Sequence, residues 1–421
     1  MSFWAPVLHF LRQTQILGKI NTFIERFRIP EWSFLVLFCA FPFFQILKHS
    51  TLWLLPLCLF LLIWFLKSFF QEPKPKLDFA DFLVLLILLL QVSTALTGFG
   101  RTVDAITAAL LTSVWFSARR FFENGSEKKL VFLSSLALLI VSVIGVGQYL
   151  FGMAELRWVD ASRFGNIGGR VTSLFSNPNI LAVYLLLYFP FSLCATSFSK
   201  SKGRARLFYA ATTILCAVCI LLTWSRGAWL GLFLECFLFL LLYSRKSRII
   251  ALCLPPAAFL SIPILPQNFR GRFLSIGDLG ESSVRYRLLT WRGTWKMIRM
   301  HPFGIGIGEG AWHAVYPHYA VSGTSRVMHA HNIFLQVATE LGVVGLVLFL
   351  LIVSIALCRG LQKRKIVAVS ALAGVLLMGL FDHLWYYPGL LVPFWSMLAF
   401  SLQKEPKTMK NSRFVDILHE K

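Results

Sequence analysis

Chemistry in this chain begins with an arginine in an unusual place. Thr223-Trp224-Ser225-Arg226-Gly227-Ala228-Trp229 forms a tight turn between two long apolar runs. A cation so close to hydrocarbon is costly unless it is paired or hydrated. Its planar fork suits a phosphate or a carboxylate; the other reading is an arginine snorkelling to the interface between tryptophan anchors. Residues 283–299 read as a surface helix. Val284, Leu288, Trp291, Trp295 and Ile298 share a stripe, Arg285, Arg292, Lys296 and Arg299 share one flank, and Arg287 stands alone on the other edge, better placed to turn inward. His331-Asn332 opens a further apolar run, and at helical spacing Gly342 returns to the His331 direction with Ala338 and Gly345 on the same face. That places a histidine, able to exchange a proton near neutral pH, over a close helix contact. Asp382 is the only acid in the short loop after the following run, suited to orienting His331 or a substrate hydroxyl, or simply to capping a helix end. His313, His318, His329 and His383 add nitrogen donors; His329-x-His331 and His313-x4-His318 could supply ligands to a zinc ion, but the spacing is not a convincing ligand pattern and no metal is expected. Gly304-Ile305-Gly306-Ile307-Gly308-Glu309-Gly310 follows a helical pattern where a dinucleotide fold needs a strand. It reads as a flexible turn that lets backbone approach a substrate.

The elements that hold these residues are membrane helices. Of 421 residues 57% are hydrophobic and 14% charged, with 40 Phe and 13 Trp, a balance that leaves too little polar surface for a soluble domain. Apolar runs predict an all-α polytopic bundle of about twelve spans, at 33–47, 51–66, 79–96, 103–118, 130–150, 180–197, 207–223, 227–243, 249–265, 332–357, 366–381 and 386–402. Lys67, Lys76, Arg119, Arg120, Arg204, Arg245, Arg359 and Lys363 all fall in connections on one side. With both termini cytoplasmic, the short loops then obey the positive-inside rule. The net charge of +22 is thus largely a topology signal, and no nucleic acid is implied. Two long outer loops remain, at about 151–179 and 266–331. The second carries eight basic residues against three acidic ones, which points to an anionic ligand outside the membrane. Residues 1–30, without a cleavable-signal pattern, read as an amphipathic segment on the cytoplasmic surface or a frayed tail, 31–403 as the membrane domain, and 404–421 as a basic cytoplasmic tail. The eight cysteines sit in or at the ends of apolar runs and read as small apolar fillers.

Taken together these stretches resemble the O-antigen ligase and O-antigen polymerase superfamily of membrane glycosyltransferases. His331-Asn332, nine residues, Gly342, two residues and Gly345 fit the ligase-type pattern. Trp224-Ser225-Arg226-Gly227 is similar to the family's membrane-edge arginine motif. Arg287-Leu288-Leu289-Thr290-Trp291 with His301-Pro302-Phe303-Gly304 is similar to its Arg-x-x-x-Trp and His-Pro-Leu-Gly stretch, Phe303 being a departure. Arg170 with Asn177-Pro178-Asn179 resembles the segment before a helix. The likeness runs over about 160–390. It implies transfer of a glycan from an undecaprenyl-diphosphate carrier to an acceptor hydroxyl, without nucleotide sugar, metal or other cofactor. Arg226, Arg287 and Arg170 would stabilise the leaving diphosphate. His331 would be the base, and Asn177, Asn179, Asn332 and Asp382 would contact substrate. No evident pair of carboxylates of the glycosidase kind stands on that face, so direct displacement with inversion is expected.

The partners implied are a lipid-linked glycan donor, an acceptor glycan or glycolipid, and membrane lipid. Ligase, polymerase and protein oligosaccharyltransferase differ only in the acceptor, which nothing in the chain reads. The rival from another class is a multi-pass transporter or flippase for lipid-linked oligosaccharide. Against it, the halves show no repeat, and the largest loop follows the ninth span.

Overall fold

The structure, a computed structural model, describes residues 22–26, 28–44, 50–70, 75–96, 99–123, 127–158, 168–198, 203–278, 280–384 and 386–403. Most of the expected surface segment 1–30 and all of the tail 404–421 lie outside the described residues. Fifteen principal helices follow in order: α1 Ile29–Cys39, α2 Ser50–Lys67, α3 Phe79–Ser93, α4 Thr102–Glu123, α5 Glu127–Leu150, α6 Pro178–Phe198, α7 Arg204–Leu222, α8 Arg226–Tyr243, α9 Arg245–Ser261, α10 Gln267–Leu274, α11 Ser282–Met300, α12 Glu309–Val315, α13 Ile333–Gln362, α14 Ile366–Met378 and α15 Pro388–Ser401. The chain is all-α: no β-strand occurs among the described residues.

A helix falls on each expected apolar run. Among the described residues, seven helical stretches, Phe79–Leu96, Glu127–Leu150, Pro178–Ser197, Arg204–Leu222, Arg226–Tyr243, Arg245–Ile264 and Ile333–Gln362, are long and apolar enough to cross a membrane. Shorter apolar helices run over Ile29–Cys39, Leu54–Phe70, Ile366–Met378 and Pro388–Ser401. The remaining run is α4, 22 residues long but carrying Asp104, Arg119, Arg120 and Glu123. Exposed Leu89, Ile214, Leu252, Leu260 and Val344 cover the outside of the bundle, as expected of a surface whose solvent is lipid.

The core centres on α6 and α14, whose residues are almost all buried. Helices α8 and α14 pack closely because glycines meet: a Cβ on Gly231 would lie 2.9 Å from the Gly374 carbonyl oxygen. Small residues let backbones approach where lipid gives no hydrophobic push.

Helix α13 departs from the sequence reading. It starts at Ile333 rather than at His331, and Gly342 breaks it with φ 71° and ψ −175°. The helical extrapolation from His331 to Gly342 therefore does not hold. The glycine-rich stretch fills the break. Ile305 N–H donates to the Thr339 carbonyl at 2.9 Å, Gly306 N–H to Glu340 at 3.2 Å, and Val343 N–H to Pro302 at 2.9 Å. Backbone freed by a broken helix is costly unless such partners are found. A Cβ on Gly304 would stand 2.5 Å from the Glu340 carbonyl oxygen and one on Gly342 2.5 Å from that of Pro302, so both positions need glycine. The stretch read as a flexible turn is a clip.

Candidate active site

The turn between α7 and α8 is the hub. Trp224 holds a left-handed backbone, φ 52°, costing on the order of 1–3 kcal/mol. Packing fixes it: the ring is 1% exposed and lies 4.5 Å from Phe269, centroid to centroid. The carbonyls at this end of α7 carry the negative end of the helix dipole, and two arginines use them. Arg170 Nε donates to the Thr223 oxygen at 2.6 Å and Arg272 Nε to the Trp224 oxygen at 3.3 Å. An isolated antiparallel bridge between Glu155 and Arg170 presents the first of these.

Arg226 is the first residue of α8, where a positive charge opposes the helix dipole. Glu281 offsets it. The Arg226 guanidinium donates to the Glu281 carboxylate, to Ser275 at 2.7 and 3.0 Å, and to Ser283 at 2.9 Å. Arg272 reaches the other carboxylate oxygen at 3.3 Å. Glu281 is 1% exposed and precedes α11, where that helix's N-terminus favours a negative charge.

Helix α11 matches the expected surface helix in extent. Thr290, Gly293, Thr294 and Met297 pack inward, Ile298 with them. Val284, Leu288 and Trp291 line a cavity instead, and Trp295 is 58% exposed. Arg287 turns inward. Its Nε donates to the Phe381 carbonyl at 2.8 Å.

His331 and Asp382 meet because two helix ends are laced together. Asn332 caps α13, its Oδ1 accepting from Phe334 and Leu335 N–H at 2.9 and 3.0 Å, while its Nδ2 donates to the Leu380 carbonyl at 3.1 Å. Ile333 N–H reaches Gly379, just past α14, at 2.7 Å. His331 itself is left-handed, φ 48°. Its Nδ1 lies 3.5 Å from Asp382 Oδ1, too long for a good hydrogen bond, and has no other partner. Asp382 accepts from Asn179 Nδ2 at 2.8 Å and from His383 N–H at 2.9 Å. Asn179 also accepts from Arg170 at 2.7 Å. A polar chain thus runs from Arg170 through Asn179 to Asp382, with His331 beside it. Asn177 caps locally, accepting from Asn179 N–H at 2.8 Å.

Arg170, Arg226, Arg272 and Arg287 converge on one cavity of about 270 Å³, together with Glu281 and Asp382. Four guanidinia against two carboxylates leave two positive charges in excess. Leu230, Ile276, Val284, Leu288, Trp291, Met378 and Phe381 add an apolar stretch of wall beside these charges. Burial and the neighbouring guanidinia push Arg170 down to about 9. Burial pushes Arg272 down to about 10, with Arg226 adding to the shift and Glu281 opposing it; burial likewise lowers Arg287. All stay charged at neutral pH, crowded in a way that an anion would relieve. Burial raises the Asp382 carboxyl, yet His331 beside it, with His329 and His383, holds it well below the usual carboxylate range. Burial pushes His383 down to about 3 and His329 far below its ordinary value.

Of the residues named from sequence, Arg170, Arg226, Arg287, Asn179 and Asp382 line the cavity, and His331 borders it through Asp382. Asn177 and Asn332 face backbone instead. His313 and His318 are exposed, apart from the cluster of His329, His331 and Asp382. Arg272 and Glu281 were not singled out. The available signal was the loop itself, whose few acids must each answer several arginines.

These features define a polytopic helical membrane protein with an anion-adapted cavity at one end of its bundle. Residues 211–350 match the family model described as O-antigen ligase. The match supports the O-antigen ligase and polymerase superfamily, and with it a membrane glycosyltransferase of that type. It contains Arg226, Arg287 and the His331 motif, while Arg170, Asn179 and Asp382 lie outside it. No curated protein matches the chain.

Proposed function

We propose that this chain moves or polymerises glycan from an undecaprenyl-diphosphate-linked donor onto an acceptor hydroxyl, on the extracytoplasmic face of the bacterial cytoplasmic membrane. The observation that carries the reading is the convergence of four arginines on one half-apolar cavity. A diphosphate esterified at both ends carries two negative charges, equal to the excess there, and the apolar wall suits the first prenyl units.

In this reading Arg287 and Arg170 hold the diphosphate, and Arg226, braced by Glu281 and the two serines, adds charge at the membrane edge. As the acceptor oxygen attacks the anomeric carbon, the bond to phosphate oxygen breaks. The arginines stabilise the charge that develops on the leaving group. His331 takes the hydroxyl proton. Asp382, fixed by Asn179, favours the protonated ring that results. One displacement inverts the anomeric carbon, with no metal required. Ligase and polymerase differ in the acceptor and share this chemistry.

The test is turnover by purified protein given a carrier-linked oligosaccharide and several acceptors. A new glycosidic bond together with freed carrier diphosphate is expected. Movement of intact donor across a vesicle membrane without bond formation would instead establish a transporter and end this reading.

A further inference from the structure

Among the described residues, three potential metal ligands gather beside the cavity. One ligand atom from each of His329, His331 and Asp382 lies within 4.8 Å of the others. His331 Nδ1 to Asp382 Oδ1 spans 3.5 Å, close to the edge of a zinc tetrahedron, about 3.3 Å for bonds of about 2.0–2.1 Å. His331 Nδ1 has no hydrogen-bond partner to give up. The His329 ring stands 4.1 Å from that of His331. Two imidazoles and one carboxylate suit zinc, whereas magnesium and calcium prefer oxygen alone.

The supports of such a site are in place. Asn179 Nδ2 and the His383 N–H both hold the Asp382 carboxylate, and ligands oriented in this way bind metal more firmly. The backbone N–H of His331 meets His329 Nδ1 at 3.2 Å, a weak neutral bond that an ion at that nitrogen would replace. Asp382 borders the cavity, the side from which water or a phosphate oxygen would supply a fourth ligand. The four arginines oppose a cation, an opposition that an anion bound in the cavity would offset.

We propose that His329, His331 and Asp382 form a regulatory site for zinc, whose occupation silences the enzyme. A bound ion takes the His331 lone pair, which can then accept no proton from the acceptor hydroxyl. No substrate bond is made or broken. The silencing rests on His331 as the base; the binding does not.

The experiment uses the purified full-length chain in detergent, stripped of metal and titrated with Co²⁺, then with Zn²⁺. One equivalent of Co²⁺ is expected to give the intense visible bands of a tetrahedral site, and Zn²⁺ to displace them. His329→Gln should weaken both metals at least tenfold. Zinc inhibition, referred to each variant's own metal-free rate, should weaken in step. His313→Gln, at an exposed histidine outside the cluster, should leave binding unchanged. Absence of stoichiometric binding, or equal weakening by His313→Gln, overturns the site and leaves the His331 reading standing. Binding without inhibition overturns the silencing and, with it, His331 as base.

Discussion

Glu281→Gln is the most discriminating single change. The carboxylate is 1% exposed at its side chain, and its partners Arg226 and Arg272 are each 10% exposed, so solvent screens the group very little. The amide keeps the shape and removes the charge. Arg226 retains Ser275 and Ser283, and Arg272 retains the Trp224 carbonyl. Removing one member of a buried pair costs about 3–5 kcal/mol; these surviving bonds put the loss near the lower end, about 3 kcal/mol. The cavity meanwhile goes from two excess positive charges to three. Two measurements follow on detergent-solubilised protein: thermal unfolding, and binding of inorganic diphosphate by calorimetry. Stability should fall clearly while diphosphate binds more tightly. An unchanged unfolding midpoint, or weaker diphosphate binding in a folded variant, would refute the idea that Glu281 balances these arginines.

Arg287→Lys keeps the charge but loses the fork that spans the Phe381 carbonyl and the cavity; turnover should fall by about 2–4 kcal/mol in transition-state stabilisation, with Arg287→Ala worse, in the carrier-linked oligosaccharide assay. His331→Gln should bind carrier-linked glycan nearly normally yet turn it over very slowly, and near-normal turnover would move the base elsewhere. Single cysteines replacing Asp278 and Ser325 should react with an impermeant thiol reagent in intact spheroplasts, whereas one replacing Lys246 or Lys363 should react only once the membrane is opened. Because His383 is pushed down to about 3 and His329 also falls, the unfolded chain binds more protons at mildly acidic pH. The unfolding midpoint should therefore rise with pH between about 3 and about 6.5, and His383→Gln should flatten that rise.

The helices were legible because a bilayer imposes a length and a composition, and every expected apolar run carries one. Arg226 could be picked out because a cation is rare beside hydrocarbon, Arg287 because it stands alone on one edge of its helix stripe, and His331 because it opens an apolar run. What joins them was not readable. Arg226 and Glu281 are 55 residues apart in the chain, and Asn179 meets Asp382 across 203; no local pattern encodes either pairing. Asn332 was assigned to substrate through the motif, though an asparagine just before an apolar run is also a helix-cap signal, and the cap is where the structure puts its Oδ1. For α11, the sequence shows the apolar stripe of a surface helix but not which face packs against the bundle. The face that packs inward is the run of small and polar residues around Gly293, where a Cβ would meet the Tyr319 carbonyl oxygen at 2.9 Å.

The clip at Gly342 ties the heritable fates of two distant segments. Residues 302–306 and 339–343 complete one another's backbone bonding, so neither can change its path alone. A chimera that exchanges only the 266–331 loop with a relative would set a foreign segment against the host's helix break, and its failure would say nothing about acceptor choice. A graft carried through to residue 345 moves both halves of the joint. Only exchanges of that extent can ask whether the loop selects the acceptor.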